Sequence, residues 1–285
     1  MKHRLGQALK AGALILLGGA WFASASAQGD ARRGEYLANA GGCRGCHTEA
    51  REGAVPYAGG RALKTLFGTF YGPNITPHPQ AGIGRWSEAD FMRAMRHGRR
   101  PDGANYFPAF PYPSFTKITD NDLRDLWAYL RTLPARSQPS REHDLWFFFG
   151  WRFLVIVWKW IYFAPGPFVT VQGVSGIVNR GAYLVQALGH CGECHTPRNF
   201  LGAPKPGRFL AGAKDVPNLT PTRLKNLSDG ELKELLLTGE TPDDGPVAEA
   251  MYEVVRNTTS QLTPQDLAAL IAYLRSLPPI SVEKR

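Results

Sequence analysis

Cysteine is scarce in this sequence: there are four in 285 residues, all inside two pentapeptides, Cys43-Arg44-Gly45-Cys46-His47 and Cys191-Gly192-Glu193-Cys194-His195. With no cysteine outside them, a four-ligand zinc site would have to recruit partners of other kinds elsewhere in the chain. A disulfide inside either pentapeptide would leave its adjacent histidine unexplained. Acidic residues are outnumbered, 24 against 33 Lys and Arg, for a formal net charge of +9. Three of those cations lie in residues 1–27, which hold no acid, leaving +6 beyond them. No apolar run reaches the roughly 20 uncharged residues that a bilayer span needs. Few stretches alternate as half-buried strands do. Methionine is also rare, with four in the chain.

What is present twice is the C-x-x-C-H pattern, the attachment signature of a c-type haem. On one helical turn, cysteines three apart share a face and the next histidine points the same way, so two thioether bonds and one iron ligand converge on one porphyrin. Two covalently bound c-type haems are therefore expected, on Cys43 and Cys46 with His47 as iron ligand, and on Cys191 and Cys194 with His195.

The repeat extends beyond the pentapeptides. Arg33-Gly34-Glu35-Tyr36-Leu37 recurs as Arg180-Gly181-Ala182-Tyr183-Leu184, Asn74-Ile75-Thr76-Pro77 as Asn218-Leu219-Thr220-Pro221, and Leu126 to Pro134 as Leu270 to Pro278. Thr119 and Thr263 stand where N-caps belong, before amphipathic runs that end at proline. Another helix is predicted from Ser87 to Gly98, with its copy from Ser228 to Gly239. The fold class expected is all-α: two tandem domains, residues 28–137 and 173–285, joined by an apolar, aromatic-rich linker, residues 138–172. Residues 1–27 read as a secretory signal, with Lys2, Arg4 and Lys10 before an apolar run and Ala25-Ser26-Ala27 as the cleavage site.

On these residues, with Gly72-Pro73-Asn74-Ile75-Thr76-Pro77, Arg100-Pro101-Asp102-Gly103 and Pro111-Tyr112-Pro113-Ser114-Phe115-Thr116, the chain resembles the cytochrome c family. Specifically, it is similar to the multihaem cytochrome subunits that serve membrane-bound alcohol and sugar dehydrogenases of bacteria, although those commonly have three haem domains. The resemblance implies a periplasmic protein, possible association with the membrane, a dehydrogenase as electron donor and a quinone or oxidase-side acceptor. It leaves no role for nucleic acid. It also implies that the first and last helices of each domain cross closely, Gly34 against Tyr129 and Gly181 against Tyr273.

The same resemblance points to Met251, 12 residues after Gly239, as the axial ligand of the second haem. The matching count from Gly98 lands on Phe110, and counting back from the final helix gives Phe107; neither binds iron. Ile118 occupies a second plausible loop position. For the first haem this leaves Met92, Met95, His97, His78 or an open five-coordinate site. Asn74, Thr76, Asn218, Thr220 and Trp86 are candidates for contacts to haem propionates, against a reading of Asn-x-Thr-Pro as a turn.

Residues 145–163, LWFFFGWRFLVIVWKWIYF, invite comparison with a membrane span, which Arg152 and Lys159 oppose. Seven apart, these cations share one helical face. The segment suits partner packing, a wedge between the domains, or an element lying on a membrane surface. The function expected is single-electron transfer from a dehydrogenase to the respiratory chain, with no other catalysis. The alternative is a haem enzyme with an open first haem, peroxidase-like or oxidising a small oxyanion.

Overall fold

Threonine opens each of the two longest helices by accepting a hydrogen bond from an otherwise free backbone amide, Thr119 from Asp122 and Thr263 from Asp266. The computed structural model describes residues 29–242 and 245–281, without the side chains of 148 and 149; the expected secretory signal lies outside these residues. The first half contains α1 (Ala31–Ala40), α2 (Cys43–His47), β1 (Ala62–Thr65), β2 (Gly68–Tyr71), α3 (Glu88–His97), α4 (Tyr112–Phe115) and α5 (Asp120–Thr132). The connecting segment adds β3 (Asp144–Leu145) and α6 (Arg152–Tyr162). The second half contains α7 (Gly176–Tyr183), α8 (Gly192–His195), α9 (Pro221–Leu224), α10 (Asp229–Thr238), β4 (Glu240–Thr241), β5 (Gly245–Pro246), α11 (Glu249–Asn257) and α12 (Pro264–Ser276). Capping boxes at Ser87 and Ser228 begin α3 and α10, and Gly98 and Gly239 close them in left-handed conformation.

The all-α expectation is corrected by these short strands. β2 pairs antiparallel with both β1 and β3, placing Ala62 opposite Tyr71 and Gly68 opposite Leu145, while β4 pairs with β5. Strands of two to four residues are too brief for alternation to register in the sequence.

In each half the first and last helices cross at a glycine. A Cβ on Gly34 would lie 1.9 Å from the Asp125 carbonyl oxygen and 2.8 Å from Tyr129 Cβ. On Gly181 the distances are 1.9 Å to the Ala269 oxygen and 2.6 Å to Tyr273 Cβ. The glycine–tyrosine pairs anticipated from the resemblance are therefore the crossing points, and they bring α1 onto α5 and α7 onto α12.

The halves meet through a reciprocal exchange. Tyr36 on α1 donates to Asp266 at the start of α12 (2.5 Å), and Tyr183 on α7 donates to Asp122 at the start of α5. Each carboxylate is also held within its own half, Asp122 by Arg33 and Asp266 by both ends of the Arg180 fork (2.8 and 2.6 Å). Burial alone would raise the Asp266 carboxyl, but the Arg180 guanidinium and the Tyr36 hydroxyl outweigh it and hold it below the usual range. One hydrophobic core draws on both halves, with Leu37 and Leu123 in the same cluster as Leu188 and Leu267. Tyr36→Phe and Tyr183→Phe should each lower stability by ~1.5–3 kcal/mol, the range for a hydrogen bond to a charged group. Urea unfolding checks this through the midpoint at constant slope; two unchanged midpoints would show that the exchange holds nothing.

The connecting segment is built onto the first half. Besides the β3–β2 pairing, Arg152 donates to the Asn105 carbonyl (2.7 Å), and Lys159 reaches the Asn105 side chain (2.8 Å) and the His97 carbonyl at the end of α3. The two cations thus share one face, as their spacing requires, and that face points inward. Burial and nearby Arg99 push the Lys159 amine down to about 8. The opposite face leaves Phe153, Ile156, Val157 and Ile161 exposed, with Trp160 87% exposed. One edge touches the second half, where Trp158 donates to the Leu201 carbonyl (3.0 Å). Among the described residues, no helix is long and apolar enough to cross a membrane.

Candidate functional site

Both C-x-x-C-H pentapeptides fold as a helical turn, α2 and α8, each following the first helix of its half. The turn brings both cysteines and the histidine to one side. His47 Nδ1 lies 2.7 Å from the Pro73 carbonyl oxygen, and His195 Nδ1 lies 2.8 Å from that of Pro217. A carbonyl can only accept, so Nδ1 carries the proton in both rings and Nε2 presents its lone pair. Burial pushes both imidazoles below their usual pKa and keeps them neutral, although the carbonyl opposes the shift. The backbone oxygens of His47 and His195 accept from Gly59 and Gly212, both at 2.8 Å, so each turn is pinned from behind in the same way.

All four cysteines are free of disulfides. Burial pushes the Cys43 and Cys191 thiols up to about 12, and it raises Cys46 and Cys194 as well. Cys43 and Cys191 are thus deep, neutral thiols, while Cys194 is exposed beside Glu193 and Arg198. Among the described residues, no three or more His, Cys, Asp or Glu side chains converge as metal ligands.

Cys43, Cys46 and His47 open onto a cavity of about 1020 Å³ whose other walls include Phe91, Met95 and Phe110. That is at the upper end of the ~300–1,000 Å³ typical of cofactor pockets. A large apolar chamber with two neutral thiols and one imidazole lone pair on its wall fits a covalently attached flat macrocycle whose iron takes nitrogen.

The cavity sorts the residues proposed for its distal side. Met95, 7% exposed on α3 and itself a member of the buried core, lines it in place, without the inward helix movement that its position in the sequence suggested. Phe107 and Phe110 line it too, confirming that the counted positions face the chamber while carrying no ligand atom. Met92 packs on the core, His97 is exposed, and His78 Nδ1 accepts from the Gln80 and Ala81 amides (3.3 and 3.0 Å) in a turn. Ile118 is buried in the core.

Asn74, Thr76, Asn218 and Thr220 are buried and spent on the chain itself. Asn74 Oδ1 accepts from the Thr76 amide (2.9 Å) and hydroxyl (2.7 Å), and its Nδ2 donates to the Arg136 and Gln138 carbonyls, both at 2.8 Å. Asn218 repeats the pattern with Thr220 and the Ile280 carbonyl (2.7 Å). The turn reading prevails over propionate contact, and each asparagine ties down the chain that leaves the last helix of its half. Trp86 lines the cavity wall, and so does Asn74, whose side-chain amide is nonetheless engaged by the chain.

Met251 sits in the first turn of α11, half-buried and outside both hydrophobic clusters. Glu253 on the same helix pairs with both ends of Arg61 in the first half (2.9 and 2.6 Å). Sequence reasoning overlooked His190 and His143, which both line the first cavity. Nothing in the pattern marks either: His190 adjoins the second pentapeptide but faces the first chamber, where its ring lies 5.2 Å from that of Phe115. His143 Nδ1 accepts from the Tyr71 amide (3.2 Å), which leaves the proton on Nε2 and no free lone pair for a metal.

The family model for cytochrome c matches the chain twice, over residues 31–134 and 178–278. A diheme cytochrome c-type protein of Cereibacter sphaeroides is 44% identical over 262 residues, covering 88% of this chain and 87% of that protein. The fructose dehydrogenase cytochrome subunit of Gluconobacter japonicus is 40% identical over 258 residues, 86% of this chain but 52% of that subunit. The alcohol dehydrogenase (quinone) cytochrome c subunit of Gluconacetobacter polyoxogenes is 36% identical over 299 residues, 98% of this chain and 63% of that subunit. The chain thus spans between half and two thirds of the length of these two dehydrogenase subunits.

Proposed function

Because the chain belongs to the cytochrome c family, with two of its domains in tandem, we propose that it carries single electrons between a dehydrogenase and the respiratory chain, outside the cytoplasm. The observation that supports this best is the duplicated imidazole geometry, in which Pro73 and Pro217 each hold a histidine with Nε2 free. Cys43 and Cys46 would hold one haem and Cys191 and Cys194 the other, with His47 and His195 as iron ligands. Bound there, each haem supplies an iron centre that gains and loses one electron. The protein's part is to exclude water, fix the imidazoles and tune the two potentials.

The sixth ligands belong to the same proposal, Met251 from its place after Gly239 and Met95 from the first cavity. Met251 serves the second haem, and Met95 serves the first, since it is the one sequence-nominated methionine or histidine that lines the first cavity. Transfer between the two haems within the chain is part of this proposal, the two halves sharing one hydrophobic core. The named dehydrogenase subunits among the relatives support a dehydrogenase as donor. A quinone or oxidase-side acceptor is the matching proposal for the other end. The outward apolar face of α6 is the surface we assign to contact with the partner or the membrane surface.

Intact mass and absorption spectra of the exported chain test this reading. The expected result is two attached haems, both low-spin, with Met95→Ala converting one of them to high spin. A high-spin haem in the unaltered chain that turns over peroxide would overturn the carrier reading. A spectrum that moves with His190→Ala and not with Met95→Ala would overturn the Met95 assignment.

A further inference from the structure

Two arginines from the segment between the halves line the first cavity, and neither has a carboxylate partner among the described residues. Arg141 lies over the Tyr71 ring, with its guanidinium carbon 4.0 Å from the centroid. Arg152 lies over Phe107 at 4.6 Å and donates to the Asn105 carbonyl (2.7 Å). Tyr71, Phe107 and His143 line the cavity with them. The remaining arginine of the wall, Arg100, is engaged by Asp102 at 3.0 Å. Glu142 also lines the cavity and pairs with neither Arg141 nor Arg152.

A guanidinium stacked on a ring keeps its N–H edge free, and that edge matches a carboxylate in two-point contact. Arg141 is exposed at the cavity mouth, whereas Arg152 is half-withdrawn from water without a counter-ion and carries a desolvation cost that an incoming anion offsets. Burial and the neighbouring Arg100 push the Arg152 guanidinium below its usual range, while burial, Arg152 and Arg100 keep the His143 imidazole neutral. The wall therefore offers two unpaired cations, and a haem attached at Cys43 and Cys46 would bring two carboxylates.

We propose that Arg141 and Arg152 bind the propionates of the first haem, which makes the connecting segment a wall of that cofactor site. The proposal rests on the haem reading above. A fixed positive charge beside the macrocycle favours the reduced state, which carries one positive charge fewer. The segment that joins the halves thus helps set the potential of the first haem.

Redox titration of the holoprotein followed by absorbance tests this with Arg141→Gln and Arg152→Gln made singly. One midpoint should fall by the equivalent of roughly three- to tenfold in the one-electron equilibrium constant per arginine, ~28–59 mV, and the other midpoint should stay. Arg141→Lys should recover part of the fall. Arg152→Gln also loses the bond to Asn105, so Arg141→Gln, which breaks no hydrogen bond among the described residues, decides the matter if α6 loosens. Two attached haems whose midpoints move in neither glutamine variant would overturn the proposal. Fewer than two haems on the unaltered chain would overturn the haem reading itself, and the proposal with it.

Discussion

Replacing Met251 by alanine is expected to drop the midpoint of one haem by on the order of 100 mV or more and to convert that haem to high spin, because a thioether ligand is what raises a c-type potential. The methionine stands in the first turn of α11, half-buried and outside both hydrophobic clusters, so its side chain is not committed to core packing. α11 is held in place by the two-point Arg61–Glu253 pair, which would keep a ligand on that helix at a fixed distance. A packing methionine would behave differently: truncation would cost a few kcal/mol of stability at most, with potential and spin state unaltered. Potentiometry and the ferric spectrum separate the two. An unchanged midpoint with lower stability would return Met251 to the core. Made beside it, Met95→Ala should act on the other haem, so the two substitutions should move different midpoints.

Gly181→Ala should be among the most damaging single methyl groups in the described residues. A Cβ there lies 1.9 Å from the Ala269 carbonyl oxygen, a backbone atom that cannot rotate away, and 2.6 Å from Tyr273 Cβ. Alanine favours an isolated helix over glycine by about 1 kcal/mol, so propensity acts in the opposite direction. Separating α7 from α12 by more than an ångström would also disturb Arg180, Asp266 and Tyr183, which sit along the same crossing. The net loss should exceed ~3 kcal/mol, the range of severe overpacking. Denaturant unfolding reads it directly, and a loss below ~1 kcal/mol would mean that the helices have room to part. Gly34→Ala should behave alike in the first half, where the Asp125 oxygen is equally close.

The parts of this protein that were legible in the sequence are those fixed by local chemistry. Thr119, Thr263, Ser87 and Ser228 cap helices because their side chains reach the amide three residues on, a contact that needs no tertiary context. The cysteines and histidines of the pentapeptides come together for the same reason, within one helical turn. What was not legible depends on distant partners. Tyr36 was visible as part of a repeated block, but that it crosses to Asp266, 230 residues away, has no local signature. The strands were missed because β3 is two residues long and exists by pairing with Gly68 and Thr69. The common face of Arg152 and Lys159 could be counted from their spacing, yet which way it pointed could not, since Asn105 and the end of α3 supply the reason. At the first site, counting loops led to Phe110, and of the residues named beside it, Met92, Met95, His97 and His78, the cavity is lined by Met95, a choice that rests on how α3 packs.

The exchange of tyrosines has a consequence for how such a chain can arise. A contact in which one unit gives Tyr and receives at Asp, while the other does the same in return, is isologous, the arrangement of a two-fold dimer. Each half of this chain carries both the donor and the acceptor of its own interface. A single-domain ancestor with these residues would already have been complementary to a second copy of itself. Tandem duplication then needs no new surface, only a tether, and the tether was free to take on other work.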